Sequence, residues 1–143
     1  MKKAYVFLFI VAMVACKDDD NPDASVSAVL TSKSNGWVFS SILVGGVDIF
    51  PSYDDCDRDD ATIFASAGTF TVVSTVKCDD NEPNPLDSGT WSLSSDQKTL
   101  TITLNDGTET VTILEIDNNH IKGDATLSFG GTNVTATVTL VPK

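Results

Sequence analysis

From residue 36 onward, short runs rich in Thr, Val, Ile and aromatic residues alternate with clusters of Gly, Asn, Asp and Ser. Runs in which every second position is apolar, separated by turn formers, are the pattern of consecutive antiparallel strands. The spacing predicts strands over 36–44, 47–50, 61–65, 69–74, 89–93, 99–104, 108–117, 120–128 and 133–141. Alternation is plainest at Leu100-Thr101-Ile102-Thr103-Leu104, where the aliphatic side chains share one face of the strand and the threonines the other. Trp91 with Leu93, Phe70 with Val72, and Val134 with Ala136, Val138 and Leu140 repeat it. No segment carries the period of a long amphipathic helix.

The connections point the same way. Asn105-Asp106-Gly107 predicts a tight type I′ hairpin, because its Asp-Gly pair tolerates positive φ. Residues 67–68, 94–96, 118–119 and 130–131 mark further hairpins, and Gly45-Gly46 reads as a turn. Successive hairpins build an up-and-down sheet, and about eight strands with one apolar face must stack or close; closure removes the exposed edges. In Thr112-Ile113-Leu114-Glu115-Ile116 the apolar phase slips after Ile113, as a β-bulge produces, and bulges help a sheet to curl. The expected fold is all-β, an antiparallel up-and-down barrel of about eight strands over residues 30–143. Trp37, Phe39, Phe64, Phe70, Trp91 and Phe129 are its candidate ligand-cavity residues. A barrel of this size is just wide enough to be filled by its own side chains or to hold one small molecule, and the pattern leaves both open.

The beginning of the chain carries a different signal. Lys2 and Lys3 precede an apolar run from Ala4 to Val14, and Met13-Val14-Ala15-Cys16 sets a small residue before a cysteine. This is the arrangement of a bacterial lipoprotein signal peptide, and the run is shorter than the roughly 18 to 20 residues that span a bilayer. Residues 1–15 are expected to be removed, leaving Cys16 as a lipidated first residue whose acyl chains hold the protein at a membrane. Residues 16–29 read as a flexible acidic tether. Lys17-Asp18-Asp19-Asp20 resembles the acidic export signal of surface lipoproteins in the Bacteroidetes, which implies the outer membrane and the cell surface; a periplasm-facing anchor is the alternative.

Charge narrows the partners. The chain has 9 Lys+Arg against 20 Asp+Glu, a net charge of −11, and losing residues 1–15 removes two lysines and no acid, giving −13. Such a field repels nucleic acid, so no nucleic-acid partner is expected. The remaining length suits one domain, expected as a monomer. With Cys16 lipidated, Cys56 and Cys78 are left as a pair in an oxidising compartment, and a disulfide between them would contribute roughly 3 kcal/mol in the chain-entropy picture. The competing use, a metal pair, lacks a nearby histidine. The disulfide would gather Asp54, Asp55, Asp57, Asp59, Asp60, Asp79, Asp80 and Glu82 on one rim. Asp54, Asp55, Asp57, Asp79 and Asp80 are calcium candidates by ligand type, but their spacing does not follow the EF-hand loop, and no metal or cofactor is expected. The same rim would steer a cationic partner, and Arg58 is expected to pair locally with one of its carboxylates.

Catalytic constellations are missing. His120 is the sole histidine and sits in the turn sequence Asn118-Asn119-His120; Ser40, Ser41 and Ser88 have no adjoining base; no Gly-x-Ser-x-Gly elbow or phosphate-binding glycine pattern occurs. The expectation is a protein that is not an enzyme.

The order of Gly36-Trp37, Cys56 followed by Asp59-Asp60 and Thr62-Ile63-Phe64, Gly68-Thr69-Phe70, Cys78, and Ser88-Gly89-Thr90-Trp91 resembles the lipocalin-like domain lipoproteins of Bacteroidetes over about residues 30–142. The resemblance implies an eight-stranded antiparallel barrel, a fold in which lipocalins generally hold small hydrophobic molecules. Gly36-Trp37 is one residue shorter than the first-strand Gly-x-Trp of true lipocalins, so no lipocalin pocket residue is carried over. The expected function is non-catalytic binding of a small hydrophobic ligand by a membrane-anchored lipoprotein. The alternative is a surface module that binds a protein or glycan through its loops and acidic rim.

Overall fold

The computed structural model describes residues 25–129 and 132–143. The expected signal peptide over 1–15, the lipidated Cys16, the tether through residue 24 and the Gly130-Gly131 turn lie outside the described residues. Among the described residues, strands follow one another as β1 (Trp37–Val44), β2 (Val47–Asp48), β3 (Ala61–Phe64), β4 (Thr69–Val73), β5 (Asp87–Leu93), β6 (Thr99–Thr103), β7 (Thr108–Ile116), β8 (Ile121–Phe129) and β9 (Thr132–Pro142). Each pairs antiparallel with its neighbours in the order β2-β1-β3-β4-β5-β6-β7-β8-β9, and β9 pairs back onto β1. That last ladder runs from Trp37 opposite Pro142 to Val44 opposite Ala136 and closes the sheet. Eight strands form the barrel, while β2 is a short ribbon folded back on β1.

Two irregularities shape the wall. The register of β7 against β8 shifts between Ile113 and Glu115, which turns Leu114 outward at 50% exposure and returns Ile116 to the inside, as the phase slip predicts. A second shift, between Phe39 and Ser41 on β1, moves the inward phase from Trp37 and Phe39 to Ile42 and Val44. Both bulges add local twist where the sheet must bend round. Gly123 faces inward on β8, where a β-carbon would meet Val111 Cγ1 at 2.6 Å, so the strands approach as closely as they do only because this position has no side chain.

One end of the barrel is closed by helix α1 (Val26–Leu30). The expected tether reached residue 29, and here the structure corrects it. Ser25 caps the helix, its Oγ accepting from the Ala28 N–H at 3.2 Å, and Val26, Val29 and Leu30 fall on one face and pack into the core. Five residues are too few to show a helical period in sequence. Leu30 also accepts a hydrogen bond at its carbonyl from Trp37 Nε1 at 2.9 Å, and Trp37 is fully buried. The floor cluster of Val29, Leu30, Trp37, Phe64, Phe70, Leu100 and Ile121 thus joins the helix to five strands.

The predicted type I′ turn at Asn105-Asp106-Gly107 is also corrected. The hairpin forms, with the Leu104 N–H donating to the Gly107 carbonyl at 2.8 Å, but none of these residues has positive φ. The two-residue turn with positive φ at both positions is Gly45-Gly46, at 58° and 84°, between the paired Val44 and Val47. Past Asp48 the expected strand over 47–50 gives way to a 3₁₀ turn at Phe50–Ser52, which Pro51 favours by its fixed φ.

Truncating Leu30→Ala removes the helix's main contact with the floor and is expected to destabilise the fold by about 2 to 5 kcal/mol in urea unfolding. An unchanged midpoint would mean that the helix is not part of the cooperative unit.

Candidate ligand-binding cavity

The end of the barrel opposite α1 is built by the 45–46 turn, the 49–60 connection, the 74–86 connection and the 104–107 turn. What opens this end is a division of labour on β1. Its first residues pair with β3, Trp37 opposite Thr62 and Val38 opposite Ala61, whereas its last residues pair with β2, Leu43 opposite Asp48 and Val44 opposite Val47. Between them the wall parts beside Phe39 and Ile42. Asp48 tends the break: its Oδ1 accepts from the Ile42 N–H at 3.0 Å and the Phe50 N–H at 3.1 Å, and these bonds hold its carboxyl below the usual carboxylate range.

The 49–60 connection arches over that opening. Its second half forms helix α2 (Asp55–Arg58), and Cys56 is joined to Cys78 of the 74–86 connection by the expected disulfide, with Cα atoms 5.2 Å apart. Further bonds brace the two loops. Asp59 Oδ2 accepts from the Val76 N–H at 3.0 Å, Lys143 Nζ bridges them by donating to the Asp59 carbonyl and to Thr75 Oγ1, and within the 74–86 connection Glu82 Oε2 accepts from the Cys78 N–H at 2.9 Å. Arg58 pairs with Asp55, within its own helix turn. The arch is therefore a cross-linked structure rather than a free loop.

Beneath it lies a chamber of about 500 Å³, lined by Phe39, Ile42, Phe50, Tyr53, Val72 and Leu127 and by two acidic residues, Asp57 and Asp60. Deeper in the barrel is an inner cavity of about 110 Å³, lined by Leu30, Phe64, Leu100, Ile102, Ile113 and Ala125 among others. Phe39, Thr62, Leu127 and Val138 line both, so the two adjoin along a shared wall. Phe39, 36% exposed, stands at that junction, 6.4 Å from Phe50, which is in turn 6.0 Å from Tyr53. Glu109, opposite Ile102 in register and so on the inward face, brings a carboxylate to the edge of the inner cavity.

Of the aromatic residues expected to line a cavity, Phe39 and Phe64 do so. Trp37 belongs to the floor. Phe70 packs on Phe64, and Trp91 meets Phe64 edge-on at 5.8 Å while its Nε1 donates to the Ala65 carbonyl. The Phe129 side chain lies outside the described residues. Sequence reading missed Phe50 and Tyr53, which lie outside the alternating strands and reach the chamber through the arch. The acidic residues grouped as calcium candidates separate: Asp55 turns to Arg58, Asp79 accepts from the Asn81 N–H, and Asp57, at the edge of the chamber, sets its Oδ1 3.2 Å from Cys78 Sγ. Among the described residues, the one group of three metal-type ligands within 4.8 Å is Cys56, Asp57 and Cys78, whose sulfurs form the disulfide. His120 lies at the floor end, its Nδ1 3.1 Å from Asp117 and its Nε2 3.2 Å from Glu115.

A closed antiparallel barrel of eight strands, plugged at one end by a helix and hollow towards the other, is a small-molecule-binding type of fold. The family model of the lipocalin-like domain matches residues 35–123, from the turn before β1 into β8, and the chain belongs to that family. A comparison with curated proteins gives no match.

Asp60 supplies a pH test of the arch. Burial, then the neighbouring charges of Asp59, Asp57 and Glu82, push its carboxyl above the usual range. The folded state therefore holds this proton more tightly than the unfolded chain, so folding is penalised once Asp60 ionises and not below the ordinary carboxylate range. Asp60→Asn is expected to raise the melting temperature at neutral pH and to lose that advantage as the solution is acidified. A gain that persists at acid pH would contradict the assignment.

Proposed function

We propose that this protein is a lipid-anchored, non-catalytic carrier or scavenger of a small, predominantly apolar molecule. The observation that supports it best is the hollow of two adjoining chambers, open towards the end opposite α1 and walled mostly by aliphatic and aromatic side chains. A pocket of several hundred Å³ with few polar groups is what small-molecule binding needs. Membership of the lipocalin-like family agrees with it. The basic start, short apolar run and Met13-Val14-Ala15-Cys16 favour export and acylation at Cys16, and Lys17-Asp18-Asp19-Asp20 favours display at the outer-membrane surface. A binding barrel on an acidic tether would sample the medium close to the membrane without leaving it.

Two measurements test this. Cells grown with labelled palmitate are expected to label the wild-type protein and not Cys16→Ser; label on neither would remove the anchor from the account. Native mass spectrometry of the Cys16→Ser protein from the periplasm is expected to show a non-covalent adduct of a few hundred daltons that denaturation releases. Leu127→Trp, which fills the wall shared by the chambers, should abolish that adduct while costing no more than about 1 to 3 kcal/mol of stability. An adduct retained by Leu127→Trp would place binding outside the barrel and favour the surface-module reading.

A further inference from the structure

The charged side chains that line the two chambers are Asp57, Asp60 and Glu109, and all are acidic. Among the described residues no lysine or arginine forms an ion pair with any of them; the nearest in sequence, Arg58, is turned to Asp55. Asp60 Oδ1 is buried and has no hydrogen-bond partner. A buried carboxylate oxygen without a partner is costly, and so is a set of like charges around an apolar hollow; both costs fall when a cation enters. The same chamber is also lined by Phe39, Phe50 and Tyr53 in succession, with ring centroids 6.4 and 6.0 Å apart. Aromatic faces attract organic ammonium groups, and a weakly hydrated cation between rings and carboxylates has both kinds of partner at once.

The geometry points to an amphipathic organic cation as the ligand: an amine or quaternary ammonium head in the outer chamber between Asp57, Asp60 and the Phe39–Phe50–Tyr53 wall, with its apolar body directed along Phe39 and Leu127 towards the inner cavity. This rests on the carrier reading and narrows it. A fatty-acid carboxylate entering by the same mouth would meet three carboxylates and no base among the residues that line the chambers. The arch is also fixed in place by the Cys56–Cys78 bond, so the acidic groups stay at the chamber rather than relaxing into solvent.

The test is a calorimetric titration of the Cys16→Ser protein, oxidised at Cys56–Cys78, with three probes of equal chain length: decyltrimethylammonium, decanol and decyl sulfate. Each is used below its micelle concentration and at physiological salt. The cation is expected to bind at least tenfold more tightly than the sulfate and more tightly than the alcohol. In Asp57→Asn/Asp60→Asn that preference should fall to about twofold while decanol binding is retained. Asp79→Asn/Asp80→Asn, which removes the same charge from the neighbouring loop without touching the chamber, should keep it. A preference that survives the first pair and falls with the second would show only the field of an acidic protein and overturn the proposal, as would sulfate or alcohol binding as tightly as the cation. If none of the three probes binds, the carrier reading itself fails.

Discussion

Everything in this molecule depends on the pairing of β9 with β1. With it, eight short strands share one inside; without it, the sheet would end in two unpaired edges and its apolar face would need a second layer that the described residues do not supply. Closure also sets a conflict. β1 pairs along its length with β9, yet on its other side it serves β3 with its first residues and β2 with its last. The wall cannot be continuous there, and the bulge at Phe39 to Ser41 lies next to the place where it parts. The mouth of the barrel is thus a consequence of how the barrel closes.

The parted wall explains the chemistry of the arch above it. Asp48 satisfies backbone N–H groups that a neighbouring strand would otherwise have paired, and keeps its charge easily because it accepts those bonds. Asp60, a few residues on, has the opposite fate: the disulfide and the Asp59–Val76 bond hold the arch where burial and like charges disfavour its ionised form. Retaining such a group beside an apolar chamber is a local conflict of the kind found at binding sites, where stability is given up for recognition.

Much of the fold was legible because strand alternation is a local property. Leu100, Ile102 and the threonines between them show their faces without reference to any other segment, and the phase slip after Ile113 shows the bulge that forms there. The cysteine pair was legible because, with Cys16 expected to carry lipid, Cys56 and Cys78 are left to pair with each other. The bulge on β1 was not, since Val38 and Leu43 are apolar on the outward face and blur the phase that Trp37, Phe39 and Ile42 would otherwise display. Helix α1 was hidden by its length. The site was the least legible part: Asp57 and Asp60 look in sequence like Asp79 and Asp80, and only the fold of the arch over the parted wall brings the first pair to the lining of a chamber.

The barrel is hollow and open at its mouth to a small molecule. The most direct test is methyl NMR of the oxidised Cys16→Ser protein titrated with 1-octanol, a neutral probe indifferent to the charge of the mouth. Saturable shifts are expected at Ile102, Leu127 and Val138, which line the chambers, and none at Leu114, Val47 or Val76 on the outside. Shifts confined to those exposed residues, or no saturable shift at all, would contradict a hollow, open barrel.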